Sequence, residues 1–148
     1  MKYTQANFGR VFVLRLEHGD EIPNSIEKFA IEHNIKSAIV HFMGGADANS
    51  KVVVGPKDGN SPKPNPMITN LSGVSEAIGF GTIFSNDKDI PKLHLHSAFG
   101  RRNETITGCT REGVDIWHIG EVIILELIDL KAKRKIDSKT GFELLDIL

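Results

Sequence analysis

From Val114 to Ile128 the chain runs through β-branched and large apolar residues with no proline, and its one glycine is Gly120. That is more than twice the ~5–6 residues of a typical strand, so the run predicts one very long strand with a bend or bulge near Gly120. Its second half, Val122-Ile123-Ile124-Leu125, is apolar on both faces, as in a strand at the centre of a packed sheet or at a subunit contact. Asp115, His118, Glu121 and Glu126 interrupt it, so it is too polar and too short to cross a bilayer as a helix, and no membrane span is expected.

The remaining segments follow the same period of two. Phe8 to Leu16 alternates apolar residues with Arg10 and Arg15 and predicts a first strand. Ile22 to His33 changes to helical spacing through Ile22, Ile26, Phe29 and Ala30, with Pro23 in the first turn and Asn34 suited to a left-handed C-terminal position. Ile35 to Phe42 returns to strand, Met43-Gly44-Gly45-Ala46 is expected to break it, and Lys51 to Val54 adds a short β segment. Four of the six prolines then fall between Pro56 and Pro66, a loop long enough to act as a flap, a subunit contact or a mobile segment. Ser75 to Phe84, Lys92 to Phe99, Thr105 to Thr107 and Phe142 to Ile147 read as further strands. The expectation is one domain over residues 1–148, mostly sheet, with one main helix.

Composition removes several functions. With 18 basic and 19 acidic side chains the net charge is −1, so no global positive field gathers nucleic acid or an anionic membrane. Cys109 is the single cysteine, which excludes an internal disulfide, and no apolar h-region follows Lys2, so residence in the cytoplasm is expected.

The chemistry-bearing residues concentrate in the second half. In Leu93-His94-Leu95-His96 the two histidines stand at i and i+2, which on a strand puts both imidazoles on one face, with Cα atoms ~6.6 Å apart, and both leucines on the other. That spacing suits convergence on one metal ion, and equally a half-exposed sheet face with two hydrogen-bonded histidines. His118 is the candidate third ligand, on the expectation that its long strand pairs antiparallel with the histidine strand. Glu121 and Cys109 are reserve ligands or acid–base partners, Glu121 being the candidate general base. Cys109, with Arg111 two residues on, also reads as a small buried hydrophobe. Arg101 and Arg102, directly after the histidine strand, could hold an anionic ligand or form a solvated turn, and Cys109 and Arg111 are grouped with them as ligand-binding candidates. Lys131 to Lys139 carries the one local basic patch, with Lys131, Lys133, Arg134 and Lys135 as candidate phosphate contacts. A lysine-protected edge strand explains that patch as well. His18, His33 and Trp117 read as structural.

Pro91-Lys92-Leu93-His94-Leu95-His96, then Thr107-Gly108-Cys109, Glu121-Val122-Ile123-Ile124, Arg134, Asp137, Thr140-Gly141 and Leu144 resemble the PPC domain (plant and prokaryote conserved) in its archaeal-type, stand-alone form. Upstream, Arg15-Leu16, Gly19-Asp20-Glu21, Gly44-Gly45-Ala46 and Leu71-Ser72-Gly73 follow the family's order. The resemblance implies an α+β fold with a strongly bent antiparallel β-sheet and one main helix, in the acetolactate decarboxylase-like fold group. It also implies a homotrimer with small polar sites near the subunit boundaries. Many bacterial members carry Gly-Gly-His-Leu where this chain has Gly108-Cys109-Thr110-Arg111, and the resemblance to the archaeal-type pattern moves the third-ligand role to His118 of Trp117-His118. Plant members join this domain to AT-hooks that contact DNA, and this chain has no Arg-Gly-Arg-Pro core.

Three functions follow as expectations. The first is a homotrimer binding zinc through His94, His96 and His118, with a regulatory or small-anion-binding role. The second is a zinc-dependent hydrolase or lyase with Glu121 as base. The third is a duplex DNA-binding protein using the basic patch with Arg101 and Arg102.

Overall fold

A computed structural model describes residues 1–147. The strands are β1 (Asn7–Leu16), β2 (Glu21–Ile22), β3 (Ser37–Ala46), β4 (Lys51–Pro56), β5 (Pro66–Asn70), β6 (Ser75–Ser85), β7 (Pro91–Arg101), β8 (Glu104–Cys109), β9 (Val114–Ile128), β10 (Ala132–Ile136) and β11 (Glu143–Ile147). The helix is α1 (Asn24–Glu32). Nine strands form one antiparallel sheet in the order β1-β9-β3-β6-β7-β8-β4-β5, with β2 attached to β9, while β10 and β11 pair as a separate hairpin. No helix among the described residues is long and apolar enough to cross a membrane.

The period-two pattern decides which face is buried. Val40, Phe42, Ile83, Leu95, Phe99, Val122 and Ile124 turn to one side and join a single core with Ile26 and Ala30 of α1. Fully burying each of these large side chains contributes about 1.5–3 kcal/mol. The helix is anchored at both ends. Phe29 meets Phe12 of β1 edge to face, and Glu27 accepts from Lys92 Nζ at 3.0 Å and from the Leu93 backbone N–H at 3.0 Å, which ties the first turn of α1 to the start of β7. Asn34 takes φ 54°, the left-handed position expected just beyond the helix.

The long strand β9 is present over Val114–Ile128, and it bulges where expected. Gly44 pairs with Gly120 and Ala46 with Ile116, so β9 spends four residues where β3 spends two, and His118 within the bulge has φ 55°. This explains a departure from the sequence reading. Met43-Gly44-Gly45-Ala46 does not break β3 but completes it, because the bulged backbone presses against it: a Cβ on Gly44 would stand 2.1 Å from the Ile119 carbonyl oxygen, and one on Gly45 2.7 Å from that of Trp117.

Two further expectations are corrected. β9 does not pair with the histidine strand; β8 takes the free edge of β7, whose other neighbour is β6, and β9 lies between β1 and β3. The segments Pro66–Asn70 and Ala132–Ile136 are strands that the apolar pattern does not reveal, since each lies at an edge or in a two-stranded hairpin and is not sandwiched in the core.

Candidate metal centre

β7 sends Leu93 and Leu95 into the core and leaves His94 and His96 on the opposite face, where their Nε2 atoms stand 3.1 Å apart. β8 runs antiparallel beside them and sets Cys109 directly opposite His96. One ligand atom from each of His94, His96 and Cys109 lies within 4.8 Å of the other two. A tetrahedral zinc with ~2.0–2.1 Å Zn–N and ~2.3 Å Zn–S bonds needs donors ~3.3–3.6 Å apart, so small side-chain movements close the set around an ion. Imidazole and thiolate are the donors zinc prefers, and three of them leave a fourth position for solvent or a ligand.

Local sequence explains why Cys109 is there. Gly108 allows β8 to lie against β4, since a Cβ at that position would stand 2.3 Å from the Val53 carbonyl oxygen, and Val53 pairs with Cys109. Thr110 then fixes the strand end: its backbone N–H and its hydroxyl both donate to the Leu95 carbonyl, at 3.0 and 3.1 Å. Sequence reasoning missed Thr110, whose single signal is a hydroxyl directly after the cysteine. The cysteine itself is 4% exposed. Burial, followed by the charges of Arg134, His96 and Arg111, holds the His94 imidazole below its ordinary pKa, which favours the neutral form that ligates metals.

Two cavities meet at Cys109. The larger, about 720 Å³, is walled by Glu27, Lys92, His94, Arg111 and Arg134 as well as the cysteine. The smaller, about 360 Å³, lies against His96 and Cys109 and is lined also by Pro56, Pro64 and Phe142, so the proline-rich loop forms part of the wall.

The other candidates fall elsewhere, Arg111 and Arg134 excepted. Arg101 and Arg102 lie at the far end of β7, roughly 17 Å along the strand from His96, where they line a separate cavity with Ser72, Asn103 and Glu104. Arg101 Nη1 there donates to the Val74 carbonyl at 2.7 Å. His118 stacks on His18, with ring centroids 4.5 Å apart, and Glu121 faces out of β9 opposite Arg15. β3 and β6 lie between β9 and β7 in the sheet, a lateral separation of roughly 14 Å. Within one chain, then, the structure brings Cys109 to the histidine pair and not His118 or Glu121. The basic patch is divided as well: Lys133 pairs with Asp89 at 2.9 Å and Lys135 with Asp146 at 3.0 Å, Arg134 is buried, and Lys131 is exposed.

Comparison with known proteins matches residues 3–128 to the Plants and Prokaryotes Conserved (PCC) domain. Among solved structures, a metal-containing protein from Archaeoglobus fulgidus is 26% identical, with a TM-score of 0.82 over 97% of this chain and 98% of that one. A plant- and prokaryote-conserved protein from Pyrococcus horikoshii is 23% identical, with a TM-score of 0.85 over 100% and 99% of the two chains. A Bacteroides thetaiotaomicron protein, provisionally described as DNA-binding, shares the fold at 15% identity and a TM-score of 0.78, over 97% and 99% of the chains. No curated protein sequence matches this one.

Proposed function

The chain belongs to the Plants and Prokaryotes Conserved domain family, and from that premise we propose that it is a metal-binding protein whose ion, zinc, is held by His94, His96 and Cys109. The observation that carries this reading is the convergence of the three donor atoms within 4.8 Å. The metal content of the Archaeoglobus fulgidus relative supports it. Zinc in a three-ligand site supplies Lewis acidity at an open position. The chain's own residues supply the rest: a cavity where Arg111 and Arg134 offer charge to a small anionic ligand, and a His94 imidazole whose burial favours the coordinating, neutral form.

The same reading takes the chain, residues 1–148, as one cytoplasmic domain that assembles as a homotrimer in the acetolactate decarboxylase-like fold group. Support for assembly comes from the outer sheet face, where Val13, Met43, Ile78, Phe80 and Ile123 are 43–79% exposed. They are contiguous: Val13 pairs with Ile123, Ile123 with His41, and His41 with Phe80, while Met43 pairs with Ile78. Phe80 pairs in turn with His96, so the metal site adjoins this face. A role for His118 as ligand or Glu121 as general base, and with it the hydrolase or lyase reading, calls for a neighbouring subunit that brings either across. Binding of duplex DNA is the less favoured reading, because most cations of the basic patch are paired or buried.

Elemental analysis of protein dialysed against zinc and then against buffer tests the proposal. The expected result is about one zinc per chain, lost in His94→Ala, His96→Ala and Cys109→Ala; wild-type protein without metal overturns it.

A further inference from the structure

The larger cavity contains a charge that the metal reading leaves unused. Arg134, on β10, is 6% exposed. Its Nη2 donates to Thr82 Oγ1 at 3.1 Å, its Nε–H has no acceptor, and no carboxylate lies within ion-pairing distance of it among the described residues. Its neighbours behave differently. Lys92, on the same cavity, is paired with Glu27 at 3.0 Å, and Lys133 and Lys135, on either side of Arg134 in β10, have aspartate partners. A buried guanidinium with free donors is costly unless something anionic completes it.

Position says where such an anion would sit. Thr82, the hydroxyl that Arg134 holds, is the register partner of His94 across the β6–β7 ladder, and directly opposed residues keep their Cβ atoms ~4.5–5.5 Å apart. The guanidinium therefore lies beside the first metal ligand. Arg111 stands on the same wall, 3.9 Å from Glu112 and half exposed. The carboxylates on the cavity are Glu27, already engaged by Lys92, and Glu143. Its volume of about 720 Å³ falls in the range of small-molecule sites.

We propose that Arg134, assisted by Arg111, is the carboxylate-binding residue of a subsite beside the metal. Its ligand is a small carboxylate with a second oxygen function outside the carboxylate, such as the oxo group of a 2-oxo acid, which would face the open coordination position. The planar guanidinium fork matches two carboxylate oxygens. The proposal rests on the metal reading for the second oxygen but not for the carboxylate.

Calorimetric titration of the zinc-loaded full chain with pyruvate, acetate and inorganic phosphate tests it, with zinc content and melting temperature measured on every sample. Pyruvate is expected to bind the wild type more tightly than acetate does. Arg134→Gln is expected to weaken pyruvate binding about tenfold or more, or about 1.4 kcal/mol, with zinc content unchanged, and Arg134→Lys to restore part of it. Should Arg134→Gln fail to fold, Arg111→Gln, at the exposed wall, is expected to weaken pyruvate binding severalfold. Equal pyruvate affinity in wild type and a folded Arg134→Gln, no carboxylate binding at all, or preference for phosphate overturns the proposal. Protein that takes up no zinc yet binds acetate in an Arg134-dependent way removes the metal reading and leaves the carboxylate subsite standing.

Discussion

His96 lies directly opposite Cys109 in the β7–β8 ladder, so the third donor of the proposed metal site comes from the strand paired with the histidine strand. The site is thus built on the register of one antiparallel pair, which makes it sensitive to anything that moves β8.

Gly108→Ala is the sharpest test of that dependence. Its Cβ would stand 2.3 Å from the Val53 carbonyl oxygen and 2.7 Å from Val52 Cγ1, so β8 must shift away from β4. A loss of about 1–3 kcal/mol in denaturant unfolding is expected, by analogy with other overpacking substitutions. Weaker zinc retention should accompany it. Unchanged stability together with unchanged metal content would remove the role assigned to this glycine.

A second prediction concerns pH. The Glu126 carboxylate accepts from Arg10 through Nε and Nη2, both at 2.7 Å, and from the Arg10 backbone N–H at 3.1 Å. The Arg10 side chain is the main cause that holds this carboxyl below its ordinary value near 4.5. A carboxyl lowered in the folded state stabilises fully above its unfolded value and loses that contribution as pH falls through the folded one. Glu126→Gln should therefore melt below the wild type at neutral pH, with the gap closing in acid below about pH 4.5. A gap that stays constant across the titration contradicts the assignment.

The apolar outer face gives a third. Ile123→Asp and Val13→Asp place charges on adjacent positions of β9 and β1 that are exposed in one chain. Light scattering should return a trimer mass for the wild type and a smaller mass for both variants, with near-native circular dichroism. A monomeric wild type would remove the assembly from the account.

DNA binding provides a fourth. With Lys133 and Lys135 in ion pairs and Arg134 buried, duplex DNA is expected to elute from immobilised protein at moderate salt, and Lys131→Glu should change little. Tight, steeply salt-dependent retention would revive the DNA reading.

Much of this architecture was legible because alternation and burial coincide in central strands. β9 was readable from its apolar run, and α1 from Ile26 and Ala30. The shared face of His94 and His96 followed from period two alone. Pairing was not legible in the same way. Nothing local tells β9 to choose β1 and β3 over β7, and the third ligand depends on that choice. Cys109 was visible as a lone thiol, yet its place beside His96 is a long-range register, reached through Gly108 and held by Thr110. Arg134 read as one cation in a basic run because charge patterning along the chain does not separate a buried side chain from its paired neighbours.

X-ray absorption at the zinc edge of the loaded protein reads the ligand set itself. The account predicts one sulfur scatterer at ~2.3 Å together with nitrogen or oxygen scatterers at ~2.0–2.1 Å, and loss of the sulfur shell in Cys109→Ser. A first shell made of nitrogen and oxygen alone in the wild type would contradict it.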